Sequence, residues 1–229
     1  VKTRNGLLLF GGIVAVAIAA GVLWARPRGA EGAALAERRH AMEVLGARLA
    51  QLRPECPVLV LSNPFVRQAG FLDEMSQFER AGLSGLQRGL GRHTPVTVVF
   101  PEIHPEYFRD PQAVVIPPDT RTPLSFLVRA ASLDRLAQEH PKCRLVVSLI
   151  GLPVGVERLR VWTDEDPRCF ALLLPDLRML GAPENAVEAF RRGKLLAVVA
   201  RDSASGNPLI VTRDNVEQVL ERQPNALGF

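Results

Sequence analysis

The chain has 229 residues, 47% of them hydrophobic and 23% charged, which suits one or two folded domains and excludes a disordered tail or a disulfide-stapled miniature. Its 28 basic and 24 acidic residues leave a formal charge of +4. That charge is too dilute for a phosphate-binding surface, so nucleic acid is not an implied partner.

Residues 6–25 (GLLLFGGIVAVAIAAGVLWA) form an uncharged run of twenty. As a helix rising about 1.5 Å per residue, the run spans the roughly 30 Å hydrocarbon core of a bilayer. We expect one transmembrane anchor over residues 1–28. Its short leading tail places the N-terminus in the cytoplasm and the rest on the periplasmic side of a bacterial-type cytoplasmic membrane. A cleavable signal peptide is the competing reading, because Ala17, Ala19 and Ala20 offer small-residue cleavage patterns. Against it, the apolar run continues through Val22, Leu23 and Trp24, beyond the usual signal length, and Trp24 suits an interfacial belt. Gly11, Ala15 and Ala19 share one stripe of this helix, which would let a second membrane helix pack closely. Small residues also recur in such helices by chance.

Residues 29–54 read as a linker and an amphipathic helix from Ala33 to Leu52. Leu35, Met42, Leu45, Leu49 and Leu52 fall on one seam interrupted by Arg38. Such a helix either docks on its own domain or forms a stalk for a partner.

Over residues 55–229, β-branched or leucine-rich runs alternate with helical periodicity, the mark of an α/β domain around a mainly parallel sheet. The runs are 57–61 (PVLVL), 95–100 (PVTVVF), 145–150 (LVVSLI), 170–174 (FALLL), 195–200 (LLAVVA) and the shorter 209–212 (LIVT). Helices are expected over 68–90, interrupted near Gly82, over 124–139, over 186–192, and after a capping Asp214. Right-handed crossovers make this a doubly wound sheet of five or six strands, with order 2-1-3-4-5. Cys56, Cys143 and Cys169 each precede a strand. A disulfide joining Cys143 to either of the others is one expectation, and three buried thiols the other.

Ligands of open α/β sheets bind beyond the carboxyl ends of the strands. The residues that follow the strands there make Asn63, Phe65, Arg67, Glu102, Gly151, Asp176, Arg178 and Arg201 the candidate ligand-binding set. Each has a plainer role open to it, such as an Asx-turn at Asn63 or Asp176, a tight turn at Gly151, or arginine pairing with nearby acids. The proline-rich stretch 101–123 is long for a loop and carries Tyr107, Phe108 and the apolar run 113–116, so we expect an ordered flap across this edge.

The turn Ser62-Asn63-Pro64-Phe65, placed after a first strand and before a helix, resembles the opening of type I periplasmic sugar-binding proteins and the related LacI-type effector domains. The stretch 133–150 is similar in layout to their helix and third strand. The resemblance implies a place for Asn63 and Phe65 at the mouth of a two-lobed cleft. This chain has room for a single lobe, so a sugar would lose half its contacts.

No GxSxG, GxGxxG, P-loop, HExxH or CxxC motif occurs. His104 stands between Glu102 and Glu106 on a proline-rich loop, where solvated side chains are expected rather than a metal. We expect no cofactor and no catalytic residue. The functional expectation is a membrane-anchored accessory or scaffold subunit in contact with the lipid bilayer and other membrane protein subunits; alternatively, a solute-binding or sensing module for a small polar ligand such as a sugar.

Overall fold

The computed structural model describes residues 28–67 and 73–229. The expected membrane segment, with Gly11, Ala15 and Ala19, lies outside the described residues.

Helix α1 (Arg28–Leu52) leads into strand β1 (Val58–Leu61), helix α2 (Asp73–Leu90) and strand β2 (Val96–Val99). Two short helices, α3 (Pro105–Arg109) and α4 (Pro123–Leu127), precede α5 (Ala131–Glu139) and β3 (Leu145–Ser148). Strand β4 (Cys169–Leu173), helix α6 (Pro183–Arg191), strands β5 (Leu195–Arg201) and β6 (Pro208–Val211) and helix α7 (Val216–Arg222) complete the chain. The six strands form one sheet in the order β2-β1-β3-β4-β5-β6. The first five are parallel and β6 runs antiparallel to β5. A run of only six residues separates β5 from β6, too short for the crossover that a parallel neighbour needs, so the last strand must return as a hairpin.

Alternation along β1 divides the core. Leu59 and Leu61 join the cluster that packs under α5, α6 and α7. Val58 and Val60 join Met42, Leu45 and Leu49 of α1 and Leu86 of α2 on the other face. The amphipathic seam of α1 therefore docks on its own domain as one layer of it. This helix runs opposite to the parallel strands, because Glu37 meets Arg201 at the end of β5 while Arg48 meets Asp214 beyond β6. Its first turns thus lie at the carboxyl edge of the sheet.

Four expectations differ from the structure. Helix α1 is already formed at Arg28, the first described residue, and so takes in Gly29 and Gly32 ahead of the expected Ala33. Helix α2 runs unbroken through Gly82, and the early part of the expected 68–90 helix, residues 68–72, lies outside the described residues. The expected 124–139 helix is two, because Val128 turns extended and bridges Ile103. The cap of α7 is Asn215 in place of Asp214. The Asn215 Oδ1 accepts from the Thr212 amide and its Nδ2 donates to the Ile210 carbonyl.

The three cysteines are free thiols. Cys143 belongs to one core face while Cys169 and Cys56 belong to the other, so the sheet itself separates Cys143 from both expected partners. Burial pushes the Cys143 and Cys169 thiols up, as suits inert apolar packing.

Candidate functional site

The carboxyl edge of the sheet is built in two halves. Beyond β1 and β3 the chain fills the crevice with its own loops. Gly151, at φ +84, turns the chain after β3 where Thr122 side-chain atoms lie 2.9 Å from the position of a Cβ; no larger residue fits. The Ser148 hydroxyl donates to the Gly151 carbonyl at 2.6 Å, and the Val154 amide donates to the Ser125 carbonyl at 3.2 Å. The proline-rich stretch is thus ordered across the edge, as a plug with helix α3 and a short 3-10 turn (Pro111–Ala113).

Asn63 makes the plainer of its two roles. Its Oδ1 accepts from the Phe65 amide at 2.9 Å, an Asx-turn that seats Phe65 edge-on against Tyr107 and Phe108. Beneath it, the Glu79 carboxylate accepts from the Ser62 hydroxyl at 2.7 Å and from the Arg38 guanidinium at 2.8 Å. Both charged side chains are buried, with 8% and 9% of their area exposed. Burial lowers the Arg38 pKa and Glu79 opposes that fall. The Arg38 Nε has no hydrogen-bond partner, lying against Gly82.

Asp176 is fully buried and fully used. It accepts from the Thr120 hydroxyl at 2.6 Å, the Arg121 amide at 3.3 Å, and the amide and Nε of Arg178 at 3.4 and 2.7 Å. Arg178 also reaches Asp119 at 2.9 Å, which lowers the Asp119 pKa. A Cβ at Gly228 would stand 2.7 Å from the Asp176 Cα, so the chain end closes on the same carboxylate. Asp176 therefore pins the plug and the C-terminal turn and has no lone pair directed to a ligand. Glu102 sits on the surface between Arg129 and Arg135, at 3.1 and 2.8 Å, and Arg67 lies over the Phe100 ring at 5.2 Å.

Open space lies beyond β4 and β5. A pocket of about 680 Å³ is lined by Arg121, Arg201, Arg222, Glu37, Asp202 and Leu174, among others. A smaller cavity of about 180 Å³ shares Glu37, Leu174 and Arg201 with it and reaches Arg38 and Phe78 under α1. Of the eight expected residues only Arg201 lines the large pocket. Its Nε donates to the Gly206 carbonyl at 3.1 Å and its Nη2 pairs with Glu37 at 3.3 Å. The Asp202 carboxylate accepts from the amides of Ala204 and Ser205, the Ser205 hydroxyl and the Gln223 amide group, which hold its pKa at about 2. Arg121 donates to the Ala226 carbonyl at 3.4 Å. Among the described residues neither Arg121 nor Arg222 has a carboxylate within ion-pair distance.

Leu174 marks the pocket floor with an unusual backbone. Its φ is +46 and its side chain is 41% exposed, a left-handed conformation that a bulky residue adopts at a cost of about 1–3 kcal/mol and that gathers at functional sites. Sequence reading missed Arg121, Arg222 and Leu174. Arg121 sits inside the recognised plug and Arg222 on the last turn of α7, and no local pattern points them at one space. Among the described residues no group of acidic, histidine or cysteine side chains could hold a metal ion.

No family model matches the chain, and no curated protein matches it. Among solved structures it is similar to a carbohydrate transporter from Acidothermus cellulolyticus in complex with myo-inositol, at 11% identity and a TM-score of 0.48 over 83% of this chain and 62% of that one. It is also similar to a glucose-galactose binding protein from Geobacillus stearothermophilus, at 11% identity and 0.46 over 78% and 61%. A putative LacI transcriptional regulator from Bacteroides fragilis gives 8% identity and 0.43 over 79% and 61%. The chain spans about three-fifths of the length of each of these. These likenesses concern the fold alone, a weak resemblance to periplasmic sugar-binding proteins and a LacI-type regulator.

Proposed function

We propose that the chain is a membrane-anchored binding module, held on the periplasmic side of a bacterial-type cytoplasmic membrane. Its domain takes a small polar ligand bearing an anionic group in the pocket beyond β4 and β5. The observation that carries this reading is the pair of uncompensated arginines, Arg121 and Arg222, beside Arg201 on a pocket of about 680 Å³. That volume is within the range of small-molecule sites, and arginine's planar fork matches phosphate and carboxylate. The pocket's two acids are already engaged, Glu37 with Arg201 and Asp202 within its own turn, which leaves the site basic. The ligand is bound by one lobe, as an exposed charge-recognised group and not as a sugar sealed between two. The accessory-subunit reading draws on the anchor and stripe over 6–25, on the absence of catalytic motifs and on the amphipathic helix, whose seam is occupied by its own domain.

Thermal unfolding of the full chain in detergent, with inorganic phosphate, glucose 6-phosphate, citrate and glucose, tests this. The anions should raise Tm, by an amount equivalent to about 2.7 kcal/mol at 100 times Kd, and glucose should not. Arg121→Gln and Arg222→Gln should each weaken the effect about tenfold or more, the loss of one charge-assisted hydrogen bond or a bidentate pair. Equal responses of wild type and both variants would overturn the reading.

A further inference from the structure

We infer that the carboxyl edge of the sheet faces the bilayer, and that the anionic group taken by the arginine pocket is the phosphate of a lipid headgroup. The inference deepens the proposed function and rests on its membrane anchor. Three observations converge on it.

The first is where the chain outside the described residues leads. Helix α1 runs opposite to the strands, so Arg28 lies beyond the edge that carries the pocket. Pocket-lining Glu37 stands nine positions beyond Arg28, about 14 Å of helix rise. The uncharged run ends at Ala25, followed by Arg26 and Arg28. An anchor over 6–25 therefore delivers the domain to the membrane with this edge first, and the amino edge with His93 and Lys142 outermost.

The second is the placement of exposed apolar side chains. Five large ones are notably exposed among the described residues, namely Val98, Phe108, Val115, Val154 and Leu174. Four of these, all but Val98 on the edge strand β2, stand at the carboxyl edge: Phe108 on the short helix α3, Val115 and Val154 on loops, and Leu174 just past the end of β4. Val115 is 82% exposed and Phe108 56%. Scattered single apolar residues need no explanation, whereas confinement to one edge fits contact with the interfacial layer.

The third is charge around the pocket. Arg67, Arg109, Arg121 and Arg222 lie at this edge with no carboxylate at ion-pair distance among the described residues. The acids nearest them, Asp119, Asp202, Glu37 and Glu102, are each paired or capped, and the edge's unpaired acids Asp73, Glu74 and Glu184 stand on the first turns of α2 and α6, away from the pocket lining. Arginines interleaved with apolar tips complement an anionic lipid surface.

The full chain in nanodiscs carrying headgroup-nitroxide lipids, with or without phosphatidylglycerol, tests the arrangement by tryptophan quenching. Native Trp24 reports the anchor, and its emission should be largely lost. In a Trp24→Phe background, Val115→Trp should lose most of its emission while His93→Trp on the opposite edge keeps it. Trp162 is buried and supplies a constant background. Phosphatidylglycerol should deepen the Val115→Trp quenching, and Arg121→Gln with Arg222→Gln should remove that increment. Quenched Trp24 with Val115→Trp no darker than His93→Trp would overturn the edge-on placement while leaving the pocket reading, tested by free phosphate, untouched. Quenching of Val115→Trp that ignores both arginines would overturn the headgroup assignment. An emissive Trp24 would overturn the anchor and this inference together.

Discussion

Asp202 holds the β5–β6 turn with a carboxylate that four donors stabilise in its charged form, depressing its pKa to about 2 from an unfolded value near 3.9. A depressed carboxylate contributes order that is fully present above its unfolded pKa and is lost as pH falls through its folded one. The turn should therefore stay fixed from neutrality down to about pH 4 and loosen between there and pH 2. The Ala204 and Ser205 amide resonances should titrate with a midpoint near 2; a midpoint near 4 would show that the four bonds do not form in solution. Such a role was half legible, since aspartate in a Ser/Gly-rich turn signals local capping. Asn63 was legible in the same way, as its spacing to Phe65 admits an Asx-turn whatever else it does. Asp176 was not, because its donors Thr120 and Arg121 lie some 55 residues away. Nothing local to 176 distinguishes a pocket acid from a buried hub.

Helices α1 and α2 meet along glycine. Gly82, Gly85 and Gly89 share one face of α2, and a methyl at Gly85 or Gly89 would collide with the carbonyl oxygen of Arg39 or Glu43 in α1. A Cβ at Gly46 would likewise sit 2.6 Å from the Leu86 carbonyl oxygen. Backbone cannot yield as a flexible side chain can, so Gly85→Ala should cost about 1–3 kcal/mol from forced separation, despite the helix propensity it gains. Gly32→Ala, with nothing within 4 Å, should be neutral or stabilise by up to about 1 kcal/mol. Urea unfolding of both variants checks the pair, and equal midpoints would refute the close approach. The expected break at Gly82 failed because glycine was taken for weakness in a helix, when here it serves proximity. Glu79, three residues before Gly82 and seven before Leu86, was a readable signal of a buried charge on that face. Strand order and the parallel sheet were legible because each run is short, apolar and separated by helical period. The β6 direction was legible only by counting the six residues before it.

At the scale of the molecule, α1 is a structural layer and not a tether. It supplies Met42, Leu45 and Leu49 to one of the two cores, all with no exposed area. A chain starting at residue 54 would bare that face of β1, β3, β4 and β5, and should lose its cooperative unfolding transition, since uncovering three such side chains costs about 1.5–3 kcal/mol each against a typical total of 5–15. A sharp transition in that truncated chain would contradict the layer assignment. The pocket was invisible to sequence reading at this scale, because its walls come from α1, the plug, the β5–β6 turn and the end of α7, four segments that meet only once the sheet exists.

The same wrapping sets an order of assembly. Glu37 finds Arg201 across some 160 residues of chain, so helix α1 is completed by a strand synthesised much later. Until then its apolar stripe has one early companion, the glycine face of α2. Residues 28–90 thus make a helical pair that shelters its own seam while the ribosome is still delivering β4 and β5. The distant closure that follows carries the entropy cost of joining segments far apart in the chain.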